Sequence, residues 1–342
     1  MTMIKVGILG MGFIGRGHFS RIASIPDAKV TAVADVEPER RQGLLQIEGN
    51  IDLGLEKLDT TGVIPYDSAE RLIVAAPVDV VDVCLPTYLH RRYTVAALDA
   101  GKHVFCEKPM ALTLADADAM LEAAAKSGRL LMIGHCIRFW PEYMYLKKTM
   151  DSRELGALLS LRLSRMGTAP AWSWQGWMLD AKRSGGAILD LHVHDVDFMH
   201  HLLGNPRAVF AQGGHAGATS GYDFAEAAYQ YDHVPRVTVE GGWMLGPLGF
   251  QASYDAWFEG GFLCYRGWES PTLTLYRNGE KSGTHPQFEP GDAYTNELRY
   301  FLDCVAKRKS PERCLPQSAR DSLALIFKEQ ESIKRKARVK IA

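Results

Sequence analysis

Ile4-Lys5-Val6-Gly7-Ile8-Leu9, followed by Gly10-Met11-Gly12-Phe13-Ile14-Gly15, reads as a short apolar strand, a G-x-G-x-x-G turn and the start of a helix. The first glycine permits a tight turn, the second lets backbone N–H groups approach a pyrophosphate, and the third lets helix and strand pack closely. The helix N-terminus turns its positive dipole end to the same place. Asp35 closes the next predicted strand, twenty positions beyond Gly15, where a carboxylate accepts hydrogen bonds from an adenosine ribose. Glycine turns are common structural devices, and it is the strand, the helix and Asp35 together that make a dinucleotide site the expectation. A carboxylate at Asp35 repels a 2′-phosphate, so NAD is favoured over NADP. Arg40 and Arg41, just downstream, can offset that repulsion and keep NADP open.

Outward from this motif, predicted strands at 4–9, 29–34, 63–66, 80–84, 103–106 and 130–133 alternate with helical patterns at 14–24, from 38, at 90–100 and at 114–126. Apolar strands separated by helices imply parallel strands buried on both faces. Past residue 134 the rhythm changes. A helix at 142–150, a strand at 158–164, an aromatic loop and a long helix at 186–203 lead into strands at 209–213, 224–231, 237–244, 250–259, 262–265 and 273–276. Such spacing suggests an antiparallel sheet. Helices at 293–307 and 317–336 follow, and the basic run 334–340 reads as a solvated helix end.

The 342 residues suffice for about two domains. With 39 Lys+Arg against 40 Asp+Glu, the net charge of -1 gives no general attraction to nucleic acid or an anionic membrane. No apolar run approaches the roughly 18–20 residues that span a bilayer. The N-terminal apolar run is broken by glycines and followed by no small-residue cleavage site, so no leader is expected. Six cysteines without a C-x-x-C pair are best read as reduced thiols in a cytoplasmic protein.

Cys84-Leu85-Pro86-Thr87-Tyr88-Leu89-His90, Ala100-Gly101-Lys102-His103-Val104 and Glu107-Lys108-Pro109 resemble the Gfo/Idh/MocA (glucose-fructose oxidoreductase / inositol dehydrogenase) family. The resemblance continues through Gly134-His135-Cys136-Ile137-Arg138-Phe139 and through the segment from Ser184-Gly185-Gly186 to Asp190-Leu191-His192-Val193-His194. It implies an α/β protein: a Rossmann doubly wound parallel sheet over 1–133, then an α+β substrate-binding and oligomerisation domain over 134–342 with a large open, mostly antiparallel sheet. It also implies NAD(P)-dependent oxidation of a secondary alcohol on a sugar or cyclitol. Carried over residue by residue, Lys108, Asp190 and His194 line the reaction centre. Gly10, Gly12, Phe13, Ile14, Gly15, Asp35, Arg40, Pro86, Thr87, His90, Glu107 and Lys108 are the expected cofactor contacts. Lys108, Arg138, Trp174, Asp190, His192 and His194 are the expected substrate contacts. His192 stands where the family often has a small residue, a departure that bears on pocket shape.

These residue types suit alcohol oxidation, in which a proton leaves the hydroxyl as hydride leaves carbon. Asp190 and His194, four apart, share a helix face. A histidine of ordinary pKa, roughly 6.5, accepts a proton near neutrality. Asp190 orients that ring or holds a neighbouring hydroxyl. Lys108 stabilises alkoxide charge as an ammonium or, with a depressed pKa, is itself the base; His194 is the preferred base. Trp172, Trp174 and Trp177 offer faces for a sugar ring or fill a core or subunit contact. Tyr143, His192 and Trp243 are weaker pocket candidates that read first as structural, and Cys106 and Cys136 read as small core residues. The run His192-Val193-His194-Asp195-Val196-Asp197 departs from a hydrolase metal pattern at its last two positions, and no metal is expected. A homodimer or homotetramer through the open sheet is expected. Two further readings stay open: an NAD-recycling enzyme working through a transient ketone (epimerisation, elimination or glycoside cleavage), and a dinucleotide-bound sugar sensor.

Overall fold

A computed structural model of the chain describes residues 3–44, 49, 58–244, 246, 249–289 and 291–341. They form two compact units. The first runs through Cys136 and takes in two later segments, Trp172–Trp177 and Asp292–Arg320; the second comprises Ile137–Ala171, Met178–Gly291 and the chain from Asp321 on.

The N-terminal elements are β1 (Ile4–Leu9), α1 (Phe13–Ala23), β2 (Ala28–Ala34), α2 (Pro38–Arg41), β3 (Ile64–Tyr66) and α3 (Ala69–Ala75). They continue with β4 (Val80–Val83), α4 (His90–Asp99), β5 (His103–Glu107), α5 (Leu114–Ser127) and β6 (Leu131–Gly134). The strands make one parallel sheet in the order β3-β2-β1-β4-β5-β6. Every residue of β4 and of β6 is buried, as strands covered on both faces must be. The order reverses between β1 and β4, and at such a switch point the carboxyl ends of the strands leave a crevice for a ligand. The helix α3 was not expected. At seven residues it is too short to show a helical period, and its capping signal is local: the Ser68 side chain accepts from the Arg71 N–H.

The remaining elements are α6 (Pro141–Ser152), β7 (Leu158–Gly167), α7 (Ala181–Ser184), α8 (Val193–Leu203), β8 (Ala208–Gly214), β9 (Phe224–Gln230) and β10 (Arg236–Trp243). After them come β11 (Gln251–Phe258), β12 (Gly261–Arg266), β13 (Leu273–Arg277), α9 (Ala293–Lys307), α10 (Pro316–Arg335) and β14 (Val339–Lys340). Of these, α9 belongs to the first unit, where it packs on α1. The second sheet has the order β13-β12-β11-β7-β10-β9-β8-β14. It is antiparallel except where β10 runs parallel to β7, from Ser160 opposite Arg236 to Gly167 opposite Trp243. The long stretch holding α8, β8 and β9 between those strands makes that parallel return feasible.

Burial alternates along β9, β11 and β12, so one face of the second sheet is core. The other face carries Arg162 paired with Glu240, Arg266 paired with Asp255, and an aromatic row of Trp257, Phe262 and Tyr276. Two expectations need correction. The helix expected at 186–203 instead follows two left-handed glycines, Gly185 and Gly186 at φ 84° and 75°, and opens with a π-helical turn, Ile188–His192, before α8. The basic run at 334–340 is not all helix end. Lys336 turns at φ 51°, and Val339 then buries its side chain where β14 pairs with β8.

No helix among the described residues is long and apolar enough to cross a membrane. All six cysteines are free thiols.

Candidate active site

The phosphate loop rests on the end of β4. A Cβ on Gly10 would lie 2.5 Å from the Cys84 carbonyl oxygen, and one on Gly15 would lie 1.9 Å from the Gly10 oxygen, so both positions require glycine. A Cβ on Gly12 would meet nothing within 4 Å. Its freedom serves a ligand's approach rather than internal packing. Phe13 and Ile14 begin α1, and no side chain caps that helix, which leaves its first N–H groups for an anion. Asp35 Oδ2 accepts from the Met11 N–H at 2.7 Å and Oδ1 from the Glu37 N–H at 2.9 Å. A carboxylate has lone pairs beyond these two for ribose hydroxyls. The Arg41 guanidinium donates to the Asp35 backbone carbonyl at 2.6 Å, while Arg40 is half-buried alongside. Open ground at Gly12, an uncapped helix and an anchored carboxylate together fit a dinucleotide.

Across the crevice, Pro86 precedes a short turn, Thr87–Leu89, in which Thr87 is buried. The His90 ring lies between two backbone acceptors, Nδ1 2.8 Å from the Pro109 oxygen and Nε2 2.7 Å from the Leu85 oxygen. The ring sits between the loop after β4 and the loop after β5; burial pushes its pKa down, and a neutral imidazole donates its single N–H to one of the two carbonyls. Lys108, half-buried, follows β5 directly, at the same sheet edge as the phosphate loop. Glu107 faces the interior: Oε2 accepts from the Lys108 N–H at 3.2 Å, and Oε1 lies 3.3 Å from His18 Nε2. The tryptophan loop joins this unit as well. Trp172 packs on Phe13 with ring centroids 5.5 Å apart, and the Trp174 indole donates to Glu37 at 3.2 Å, two residues past Asp35. Trp174 therefore stands at the ribose end of the cofactor loop.

In the second unit, Asp190 lies in the π-helical turn and His194 in the first turn of α8, both buried. The Ser184-Gly185-Gly186 bend sets their entry. A Cβ on Gly185 would strike the Leu189 side chain at 2.2 Å. Two other expected substrate contacts are committed elsewhere. Arg138 makes a two-pronged pair with Asp197, at 2.7 and 2.6 Å, and Ser322 donates to the same carboxylate at 2.9 Å. His192 is fully buried, with Nε2 3.1 Å from Glu329, whose carboxylate also accepts from the Tyr229 hydroxyl at 2.5 Å. Burial alone would lower the His192 pKa, but the Glu329 carboxylate more than offsets it and holds the pKa above its ordinary value. Asp195 pairs with buried Arg165, whose guanidinium also donates to Tyr143. Trp243 packs in a core with Ala187 and Leu191. Cys106 and Cys136 are buried.

Sequence reasoning missed Glu329, Tyr229, Glu37 and Arg165. His192 and Glu329 are 137 positions apart, as are Trp174 and Glu37, and no periodicity links residues at such separations.

Comparison with known proteins agrees with this geometry. Residues 4–135 match the family described as "Oxidoreductase family, NAD-binding Rossmann fold", and residues 143–255 match the GFO/IDH/MocA C-terminal domain. The chain is 27% identical to a myo-inositol 2-dehydrogenase of Thermotoga maritima, covering 99% of this chain and 98% of that one. It is 33% identical to a 2,7-anhydro-N-acetylneuraminate hydratase of Escherichia coli, covering 62% of this chain and 53% of that one. A levoglucosan dehydrogenase solved with NADH and levoglucosan superposes with a TM-score of 0.85 at 19% identity, over 99% of this chain and 100% of that one. With its phosphate loop, its S-G-G bend and both domain matches in place, the chain belongs to the Gfo/Idh/MocA family of NAD-binding oxidoreductases.

Proposed function

We propose that this oxidoreductase oxidises a secondary ring hydroxyl of a sugar, cyclitol or glycoside to a ketone. The observation that carries the reading is the single sheet edge at which β1, β4 and β5 deliver the phosphate loop, Pro86–Thr87 and Lys108. The full-length similarity to an inositol dehydrogenase supports the substrate class. Bound NAD supplies the hydride acceptor. In this reading Lys108, as an ammonium, donates to the reacting hydroxyl oxygen and stabilises charge as its proton leaves. His194 takes that proton, and Asp190 orients the imidazole or a neighbouring hydroxyl. Asp35 favours NAD over NADP, with Arg40 and Arg41 close enough to keep NADP open.

A second reading keeps the same first step but returns the electrons, giving elimination or epimerisation with no net redox change. The hydratase relative favours keeping it.

The test is NADH formation when the purified protein meets NAD and a panel of cyclitols, free sugars, sugar acids and glycosides, with NADP in parallel. Sustained NADH from one class is expected. Substrate consumed without NADH would replace the dehydrogenase by the recycling enzyme. Intact NAD binding with no turnover across the panel would favour a sensor.

A further inference from the structure

Beneath the phosphate loop, inside the first unit, five residues from four elements meet: His18 of α1, Asp82 and the adjoining Cys84 of β4, Glu107 of β5 and Glu297 of α9. His18, Asp82 and Glu297 are at most 1% exposed, Glu107 is 6% and Cys84 7%. Three carboxylates in one dry interior are costly unless paired. Among the described residues no Lys or Arg pairs with Asp82, Glu107 or Glu297.

The hydrogen bonding divides the cluster in two. On one side of the imidazole everything is satisfied: His18 Nδ1 lies 2.9 Å from Asp82 Oδ2, and the Cys84 thiol donates to Asp82 Oδ1 at 3.3 Å. On the other side the contact is looser: Glu107 Oε2 accepts from the Lys108 N–H, and His18 Nε2 faces Glu107 Oε1 at an ion-pair distance of 3.3 Å that counts only when the ring is protonated. His18 Nε2, Glu107 Oε1 and both Glu297 carboxylate oxygens are buried with no hydrogen-bond partner. Yet His18 Nε2 and Glu107 Oε1 approach to 3.3 Å, and one atom each from His18, Glu107 and Glu297 falls within 4.8 Å of the others. Two donors held about 2.0–2.2 Å from a tetrahedral centre stand roughly 3.3–3.5 Å apart. The 3.3 Å separation of His18 Nε2 and Glu107 Oε1 matches that of two ligands of one tetrahedral ion.

We propose that His18 Nε2, Glu107 and Glu297 bind a divalent cation of the zinc type, with Asp82 fixing the histidine tautomer from behind. Burial alone would lower the His18 pKa, but the Cys84 and Asp82 groups beside it more than offset that, so an incoming cation must displace the Nε2 proton; the neutral imidazole and two carboxylates would then neutralise a doubly charged ion. Asp82 on the far nitrogen makes the carboxylate–histidine–metal arrangement that orients metal-bound imidazoles. The alternative set, His18 with Asp82 and Cys84, is disfavoured because its atoms already bond one another. The bound ion would clamp α1, β5 and α9 together. Through Glu107, which also accepts from the Lys108 N–H, it would hold the base of the loop that carries Lys108.

The test uses the full chain. After chelator treatment and desalting, the protein is titrated with Zn2+ and separately with Co2+, following metal content, cobalt absorption and thermal midpoint. One retained Zn2+ per chain, a rise in midpoint and an intense tetrahedral cobalt spectrum are expected. Glu297→Gln and His18→Asn should reduce all three to background, whereas Cys84→Ser should leave them intact. Where a variant fails to fold, a zinc-edge anomalous map of wild-type crystals decides, with its peak expected between His18 Nε2, Glu107 and Glu297. No retained metal and no midpoint shift in wild type, an anomalous peak elsewhere, or full retention by folded Glu297→Gln would overturn the proposal. The two glutamates would then share a proton instead.

Discussion

Lys108 and His194 are the residues on which the proposed chemistry stands, and they are reached by different routes. Lys108 is placed by strand geometry, as the first residue beyond β5 at the ligand-binding edge of a parallel sheet. His194 is placed by the π-helical turn before α8, a local feature that often marks functional sites. Lys108→Ala and His194→Ala are each expected to lower turnover by about 10²–10⁴-fold, the usual worth of a positioned acid or base. NAD affinity, read by fluorescence titration, should change little. Near-normal rates in both variants would remove them from the reaction. His192, two residues earlier, behaves differently. A Cβ on Gly241 would lie 2.8 Å from its Nδ1, and Glu329 holds its other nitrogen, so the ring is a core histidine rather than a pocket wall.

At the scale of elements, α8 is anchored by charge as well as by apolar packing. Asp195 and Asp197, both fully buried, each receive a buried arginine, Arg165 from β7 and Arg138 from the turn before α6. Removing one partner of a buried pair leaves the other charge stranded, at a cost of about 3–5 kcal/mol, whereas replacing both by apolar groups of like volume is far milder. Asp197→Ala is therefore expected to be destabilised by that amount in urea unfolding. The double change Arg138→Met with Asp197→Leu should recover most of the loss. Equal losses in the two proteins would show that the pair contributes nothing as a pair. In the histidine- and aspartate-rich run from His192 to Asp197, both carboxylates already have guanidinium partners.

At the scale of the whole molecule, one face of the second sheet exposes Arg162, Trp257 and Tyr276 among the described residues. That face is not uniformly apolar. Its centre carries the Arg162–Glu240 and Arg266–Asp255 pairs, and its apolar end is the row of Trp257, Phe262 and Tyr276. Stacked aromatics next to matched charges suit burial against a second copy. We propose self-association through this face. Sedimentation at micromolar concentration should show a dimer or tetramer, and Trp257→Glu should shift it toward monomer. A wild-type monomer would refute this assembly.

The alternation of strand and helix, the glycine loop, Asp35 and the antiparallel character of the second sheet were legible in the sequence because each is written in neighbouring residues. Glycine spacing, apolar period and the residue that closes a strand are local properties, and local physics dictates them. Short or irregular features were harder: α3 has too few turns to show a period, and the π-helical turn has the same composition as an ordinary helix. Pairings across the chain were decided by tertiary structure alone. Whether Arg138 met a substrate or Asp197, whether His192 faced a pocket or Glu329, and whether Trp174 or α9 joined the first unit depended on which distant side chains folding brought together. A buried charge takes whichever partner the packed interior supplies, and no sequence spacing records that partner in advance.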